Sequence, residues 1–536
     1  MRRRPTLALG LALAAATVGA GALAAAKRSA MPGHVPAQRA QAQTALRREA
    51  DEVTTSQRDA LYAAASTWRA PGDETPLPAF AGFANAAGSF ALVNAGGPVE
   101  TRGHPFFQAI GANGRACVTC HQPADGMSVS TASIQARWQA LGAKDPLFAA
   151  IDGSNCPSLP QAKASSHSLL LNRGLFRIFL PWPPRAKNGT KVEPEFTIEV
   201  VRDPTGCNLD ATYGLKSANP MVSVFRRPRP VMNFKYVTSV DGFVNVKTGM
   251  PFDRDPETGQ RVSMELMADA REPTLKSQAI EAAITHLQAP APPSPAELAA
   301  IVAFEQGLYG AQGVSTGAGV LDEAGLDGLG PHALEKAPAG RLGDNTHEPV
   351  FGRFEAWRDG GAGGTAAQRA FRASVARGAD IYMNRTFWIS DVSNLNSVGL
   401  GNPLKRTCST CHNAAMTGMD LAPGWMDLGV ANKPWADPRP DLPLFRIVCR
   451  PDADPHPYLG RVILTHDPGR ALITGKCADV GSITMQQMRG LAARAPYFSN
   501  GSARSLAELV EFYNRRFQIR FTAREKQDLV NFLGVL

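Results

Sequence analysis

The sequence predicts a mainly α chain: two similar helical halves with long loops, and an irregular, β-rich segment inserted in the first. Three observations predict it. The pentapeptide Cys-x-x-Cys-His occurs twice, in GRACVTCHQPADGM (114–127) and in KRTCSTCHNAAMTGM (405–419). Amphipathic stretches with helix-cap residues flank each copy. Between about 150 and 235 the composition shifts to Pro, Arg and β-formers, as in FTIEVVRDP and PMVSVFRRPRPVMNF.

The chain has 536 residues, 44% of them hydrophobic, enough for two cores and an insertion. Its net charge is +9, and setting aside Arg2, Arg3 and Arg4 leaves about +6. A mildly basic surface suits an acidic partner. Nucleic acid is excluded as a partner, because no Lys/Arg block is interleaved with aromatics. The three arginines precede an Ala/Leu/Gly run from Thr6 to Ala26 that closes on small residues. This is the layout of an export signal over 1–26, cleaved near Ala24–Ala26. The run is also long enough to span a bilayer, so an uncleaved anchor stays open, and only then is a membrane involved. Either way the body is expected outside the cytoplasm, in the periplasm of a Gram-negative cell.

Eight cysteines fit that compartment. Four belong to the pentapeptides. The other four fall as one pair after each copy and read as disulfides Cys156–Cys207 and Cys449–Cys477; unpaired buried thiols or other pairings stay open.

Cys-x-x-Cys-His is the attachment site of c-type haem. Two thiols add to the vinyl groups, and the adjacent His reaches the iron. A structural zinc site would need further Cys or His nearby, and a thioredoxin-like pair does not explain the repeated His. Cys117, Cys120 and His121 are therefore assigned to haem 1, and Cys408, Cys411 and His412 to haem 2. The cofactor set is two covalently bound haem c groups, with iron ligated by His121 and His412.

Residues 27–75 read as a polar, Ala-rich helical arm. The first domain spans 76–345. Its haem loop follows HPFFQAIGANGRA (104–116), a short amphipathic segment, and the insertion at about 150–235 is clipped by Cys156–Cys207. Helices return with TLKSQAIEAAITHLQ (274–288) and SPAELAAIVAFEQGLYGAQ (294–312). In the latter Ser294 is the N-cap, Pro295 the first helical residue, and Glu297 completes a capping box. Gly-rich, polar stretches at 311–350 and 360–364 are linker or loop. The second domain, 346–536, opens on TAAQRAFRASVARGADIYMNRTF (365–387), and a Pro-rich loop (433–443) follows its haem motif. It closes on TAREKQDLVNFLGVL (522–536), where Thr522 and Glu525 form a second capping box and Leu529, Phe532 and Leu533 share one face. A few helices around a haem, used twice, is the logic of a class I cytochrome c domain.

The segment RGLAARAPYFSNGSARSLAELVEFYNRR (489–516) resembles the segment of type LRNVALTAPYFHDGSAATLEEVVDFY of the bacterial dihaem cytochrome c peroxidases and their relative MauG, which oxidises tryptophans of a protein substrate. Weaker similarities are ARGADIY before the second motif, AELAAIVAFEQGL, and VDGF…TLKSQA (240–279). The resemblance implies that peroxide reacts at haem 1 and that haem 2 passes electrons to it. It places Tyr513 at the sixth-ligand position of haem 2, which is Met in the peroxidases and Tyr in MauG. Met416, Met419, Met426, Met485 and Met488 are rivals. The family's pocket Gln matches Gln278. Its catalytic Glu has no counterpart at Leu287–Gln288, but His286 lies close by, as a candidate distal base or sixth ligand of haem 1. The family's His after PYF is Ser499, and its inter-haem Trp is missing from Val240–Phe243. The other histidines, among them His104, His167 and His456, receive no role.

The function expected is therefore an exported dihaem c-type oxidoreductase of peroxidase or MauG type. A small redox protein, cytochrome or cupredoxin, would supply electrons, and peroxide or another small oxidant would receive them. The alternatives are a dihaem electron carrier without catalytic activity and a haem oxygenase acting on an organic substrate. Ligation of haem 1 discriminates them: an open iron means catalysis, a tight sixth ligand means transport.

Overall fold

The computed structural model describes residues 68–238, 266–322, 329–339, 352–393, 401–419 and 425–536. The leader 1–26, the arm to residue 67, Val240–Phe243, much of the linker expected at 311–350 and the side chain of Met416 lie outside the described residues.

The fold is mixed α/β, which corrects the mainly α expectation and, with it, the pair of class I cytochrome c domains. Among the described residues, eleven α-helices stand beside thirteen strands in five small antiparallel sheets. The reason is visible where helix-compatible sequence becomes strand. The helix capped by Ser294 does form, with the capping box to Glu297, but it stops at Gly307. LYGAQGVS (Leu308–Ser315) continues as a strand, because it gains partners on both sides. It pairs with Gly88–Asn94, which also pairs with Phe80–Asn85, and with Gly319–Val320. Cross-strand pairing overrides the weak helix preference of Ala, Gln and Leu. HPFFQAIGANGRA also departs from expectation: it is a chain of turns that buries Phe106 and Phe107 completely.

The insertion is β-rich, as expected. Phe176–Pro181 pairs with Met221–Arg226. Phe196–Arg202 reaches across to Leu444–Cys449, whose other neighbour is Val462–Thr465. Both disulfides are formed as expected, Cys156–Cys207 and Cys449–Cys477. Cys449 and Cys477 lie in one core with Phe196, Phe445, Ile447 and Ile463.

Two larger cores flank the two pentapeptides. One gathers Phe90, Phe106, Phe107, Val118, Ile301 and Phe304. The other gathers Val375, Tyr382, Val510, Phe532 and Leu533. In the second, the helix Ala366–Asn384 lies against the C-terminal helix Ala523–Gly534. Both carry capping boxes, from Thr365 to Gln368 and from Thr522 to Glu525. The contact is close because of Gly378: a Cβ there would come within 2.1 Å of the Asp528 carbonyl oxygen. Asp528 ties the two helices, accepting from Ser374 Oγ at 2.5 Å and from Arg377 Nε and Nη2 at 2.8 Å.

Candidate functional site

Each pentapeptide opens onto its own cavity. The first, about 160 Å³, is lined by Cys117, Cys120, His121, Gln278 and His286, so every residue the sequence proposed for this site converges there. The second, about 230 Å³, is lined by Cys408, Cys411, His412 and Tyr513, with Met426, Met485 and Met488. Met419 instead packs fully buried in the first core. Gln487 lines both cavities, so they share a wall.

The motif histidines have the same local chemistry. His121 Nδ1 donates to the Met127 carbonyl at 3.1 Å, and His412 Nδ1 donates to the Gly418 carbonyl at 3.1 Å. A carbonyl only accepts, so each Nδ1 carries the proton and each Nε2 keeps a lone pair. Burial pushes His121 down to about 4, and burial lowers His412 as well, despite the bond from each ring to a carbonyl. Both rings are therefore neutral, the form that binds metal. None of the four motif cysteines is in a disulfide, and the remaining cysteines are paired with each other. Burial pushes Cys120 up to about 11 and Cys408 up to about 12.

What faces the histidines differs. In the second cavity Tyr513, on the helix Leu506–Arg516, places its hydroxyl 3.4 Å from His412 Nε2. Its ring is held by Phe498, Phe512 and Phe517. Burial raises the Tyr513 phenol above its ordinary value. Tyr382 donates to the His412 carbonyl from the opposite helix, which fixes the motif against the second core.

In the first cavity His286 caps the end of the helix Leu275–Thr285. The turn before the motif is stitched to that helix end: Asn113 Nδ2 donates to the His286 carbonyl at 2.8 Å, and Ala112 N to Gln288 O at 3.2 Å. Gly111 allows this approach, since a Cβ there would sit 1.6 Å from the Leu287 carbonyl oxygen. His286 Nδ1 donates to Asp152 Oδ2 at 2.6 Å, leaving Nε2 free to accept. Arg115, fully buried, pairs with the other Asp152 oxygen and donates to Pro146 O and Leu147 O, each at 2.7 Å. Burial alone would raise the Asp152 carboxyl, but Arg115 and His286 outweigh it and hold it low.

Two signals were missed at sequence level. Asp152 is remote in sequence from both partners, and nothing in its local context marks it. Glu305 was legible: it follows Leu298, Ile301 and Val302 at helical spacing, so it falls on the apolar face of its helix. It is 4% exposed and lines the first cavity.

The residues fit a haem at each motif. Two cysteines outside any disulfide and a neutral imidazole are the donor set that covalent haem requires. Haem also carries two carboxylates, and the cavity walls hold buried guanidinium groups. Arg227 lines the first cavity and Arg494 the second, and the hydrogen bonds of both run to backbone carbonyls. Arg489 is 2% exposed, and its Nη1 has no hydrogen-bond partner. Burial lowers all three, Arg227 to about 9 and the other two to about 10, the mark of cations lacking a strong counter-charge. Anionic groups placed in the two cavities would supply it for Arg227 and Arg494, whereas Arg489 lines neither. Among the described residues, no three His, Cys, Asp or Glu side chains converge as a purely protein-built metal site would need.

No known protein family and no curated protein matches this chain.

Proposed function

We propose that this protein is an exported oxidoreductase carrying two covalently attached c-type haems, with peroxide reduced at the first motif and electrons supplied through the second. The observation that carries the reading is the asymmetry of the two cavities. His412 faces a tyrosine hydroxyl at 3.4 Å, a ready second ligand, whereas the cavity of His121 offers an imidazole braced by a buried carboxylate. Haem attachment by this pentapeptide needs the loop and its two thiols rather than a class I cytochrome fold, so the mixed α/β architecture is compatible with it.

Bound haem supplies redox-active iron that can hold a peroxide and relay electrons. The chain supplies the rest. His286 Nε2 would move a proton between the two oxygens of peroxide, while Asp152 would hold the ring in the required tautomer. Gln278 offers its amide to the bound oxidant. Tyr513 would be the residue to ligate iron at the second site, and as a phenolate it would favour the ferric state, which suits a MauG-like use of stored oxidising equivalents. Overall, peroxide takes two electrons and two protons and its O–O bond breaks to give two waters. A small acidic redox protein, cytochrome or cupredoxin, is the electron source, and the net positive charge that remains without Arg2, Arg3 and Arg4 favours its approach.

The test is production in a host that matures c-type cytochromes, followed by optical and electron paramagnetic resonance spectra with and without peroxide. Two haems per chain, with one high-spin signal that vanishes on peroxide addition, support the proposal. Two low-spin haems that ignore peroxide even after half-reduction leave an electron carrier and refute the enzyme. A chain without haem refutes the whole reading.

A further inference from the structure

We propose that Glu305 is a redox-linked proton site of the first cavity: its carboxyl releases a proton when the iron held there is oxidised and recovers it on reduction. This rests on the haem reading above and goes beyond it.

The placement of Glu305 is unusual for an acid. Its helix, Pro295–Gly307, turns Leu298, Ile301 and Val302 into the first core, and Glu305 continues the same face. The side chain is buried, and Oε2 has no hydrogen-bond partner. It lines the cavity that holds Cys117, Cys120 and His121, close enough to Cys117 that, after burial, it helps raise that thiol. A thioether at Cys117 no longer titrates.

The other charged groups around this cavity are engaged elsewhere. Arg226 binds Asp269 and Asp467, and Arg271 binds Asp269 and Glu281. Arg227 donates to backbone carbonyls. Arg229 donates to the carbonyls of Met267, Thr484 and Met485. Asp152 is shared by Arg115 and His286, and His121 donates to Met127 O. From the neighbouring helix Phe234–Val237, Lys235 and Tyr236 donate to Glu335 O and Leu334 O. His104 packs its ring on Phe304, 5.4 Å away. None of these makes an ion pair or hydrogen bond with Glu305. Burial alone pushes its carboxyl up to about 8, so it is mostly neutral near pH 7.

One unit of positive charge added to a nearby metal in a low-dielectric pocket stabilises a carboxylate strongly. Oxidation therefore lowers the Glu305 pKa, and reduction raises it. The balance is one electron and one proton: ferrous iron and a carboxylic acid become ferric iron and a carboxylate. On oxidation the electron and the proton leave to peroxide, and on reduction an electron arrives through the second iron site and a proton from solvent. Two such turns supply the two electrons and two protons that peroxide reduction consumes.

The test is a spectroelectrochemical titration of the haem-loaded protein from below to above pH 8. The potential of the first haem should fall by up to about 59 mV per pH unit below pH 8, where the reduced form still holds the proton, and level off above it. Glu305→Gln should flatten that slope and leave the second haem's potential unchanged, which also reports on folding. Redox difference infrared spectra of the unsubstituted protein should lose a carboxylic C=O band on oxidation. A pH-independent first potential, a slope that survives Glu305→Gln, or no acid band overturns the inference while the two-haem reading stands. A peptide bearing Cys117 and Cys120 without haem mass overturns that reading itself.

Discussion

Asp152→Asn tests the buried brace behind His286. Asp152 and Arg115 are 1% and 0% exposed, and His286 shares the same carboxylate. The substitution preserves volume but removes the carboxylate bound to Arg115, leaving its guanidinium with the carbonyls of Pro146, Leu147 and His286. Breaking a buried ion pair costs about 3–5 kcal/mol, and the amide retains one acceptor, so about 3 kcal/mol is expected. With a urea slope of about 3 kcal/mol/M, the unfolding midpoint falls by about 1 M. Arg115→Met combined with Asp152→Leu removes both charges and should recover to within about 1 kcal/mol of the parent, because no charge is then stranded. The tautomer of His286 is a second readout. An amide nitrogen facing Nδ1 moves the ring proton to Nε2, which removes the base from the cavity while the haem spectra stay unchanged. A single variant that loses less than about 1 kcal/mol, or a double variant that loses as much as the single one, would refute the argument.

Other outcomes follow from the same geometry. Gly378→Ala gains about 1 kcal/mol of helix propensity but drives a methyl to within 2.1 Å of the Asp528 carbonyl oxygen; overpacking of about 1–3 kcal/mol wins, so the melting temperature falls, and a rise would show that the helices slide apart freely. Tyr513→Phe removes the hydroxyl 3.4 Å from His412 Nε2 and should change the spin state of the second haem alone; unchanged resonance spectra would assign that ligand to Met426, Met485 or Met488 instead. Glu305 has a folded-state value of about 8 against an unfolded value of 4.5. The folded chain thus binds more protons between those limits, and this group's contribution to stability is lost as pH rises through them, by up to about 1.4 kcal/mol per pH unit. Glu305→Gln should be the more stable form above pH 8, and parallel stability–pH curves for the two proteins would exclude the buried acid.

Much of the local chemistry was legible in the residues alone. The repeated Cys-x-x-Cys-His, the even pairing of the remaining cysteines, and the caps at Ser294 and Thr522 are short-range signals. They depend on neighbours within about one helical turn, which a sequence displays directly. His286, Gln278 and Tyr513, placed by likeness to a family, also came to lie in the cavities of their motifs.

The architecture depended on partners far away in the chain. Leu308–Ser315 is a strand because Gly88–Asn94 lies beside it, more than 200 residues earlier in the chain. Phe196–Arg202 is paired by Leu444–Cys449, joining the insertion to the second half. Pairings of that kind leave no periodicity that tells strand from short helix, so the mainly α expectation failed there. Likewise the sequence by itself determined that two thiol–histidine motifs exist and which cysteines are left to pair. Only the tertiary structure decided that Asp152 and Arg115 stand behind His286, that Glu305 is sealed beside Cys117, and that one wall separates the two cavities. Burial and charge pairing arise between segments distant in sequence, and they exist only once the chain has closed around them.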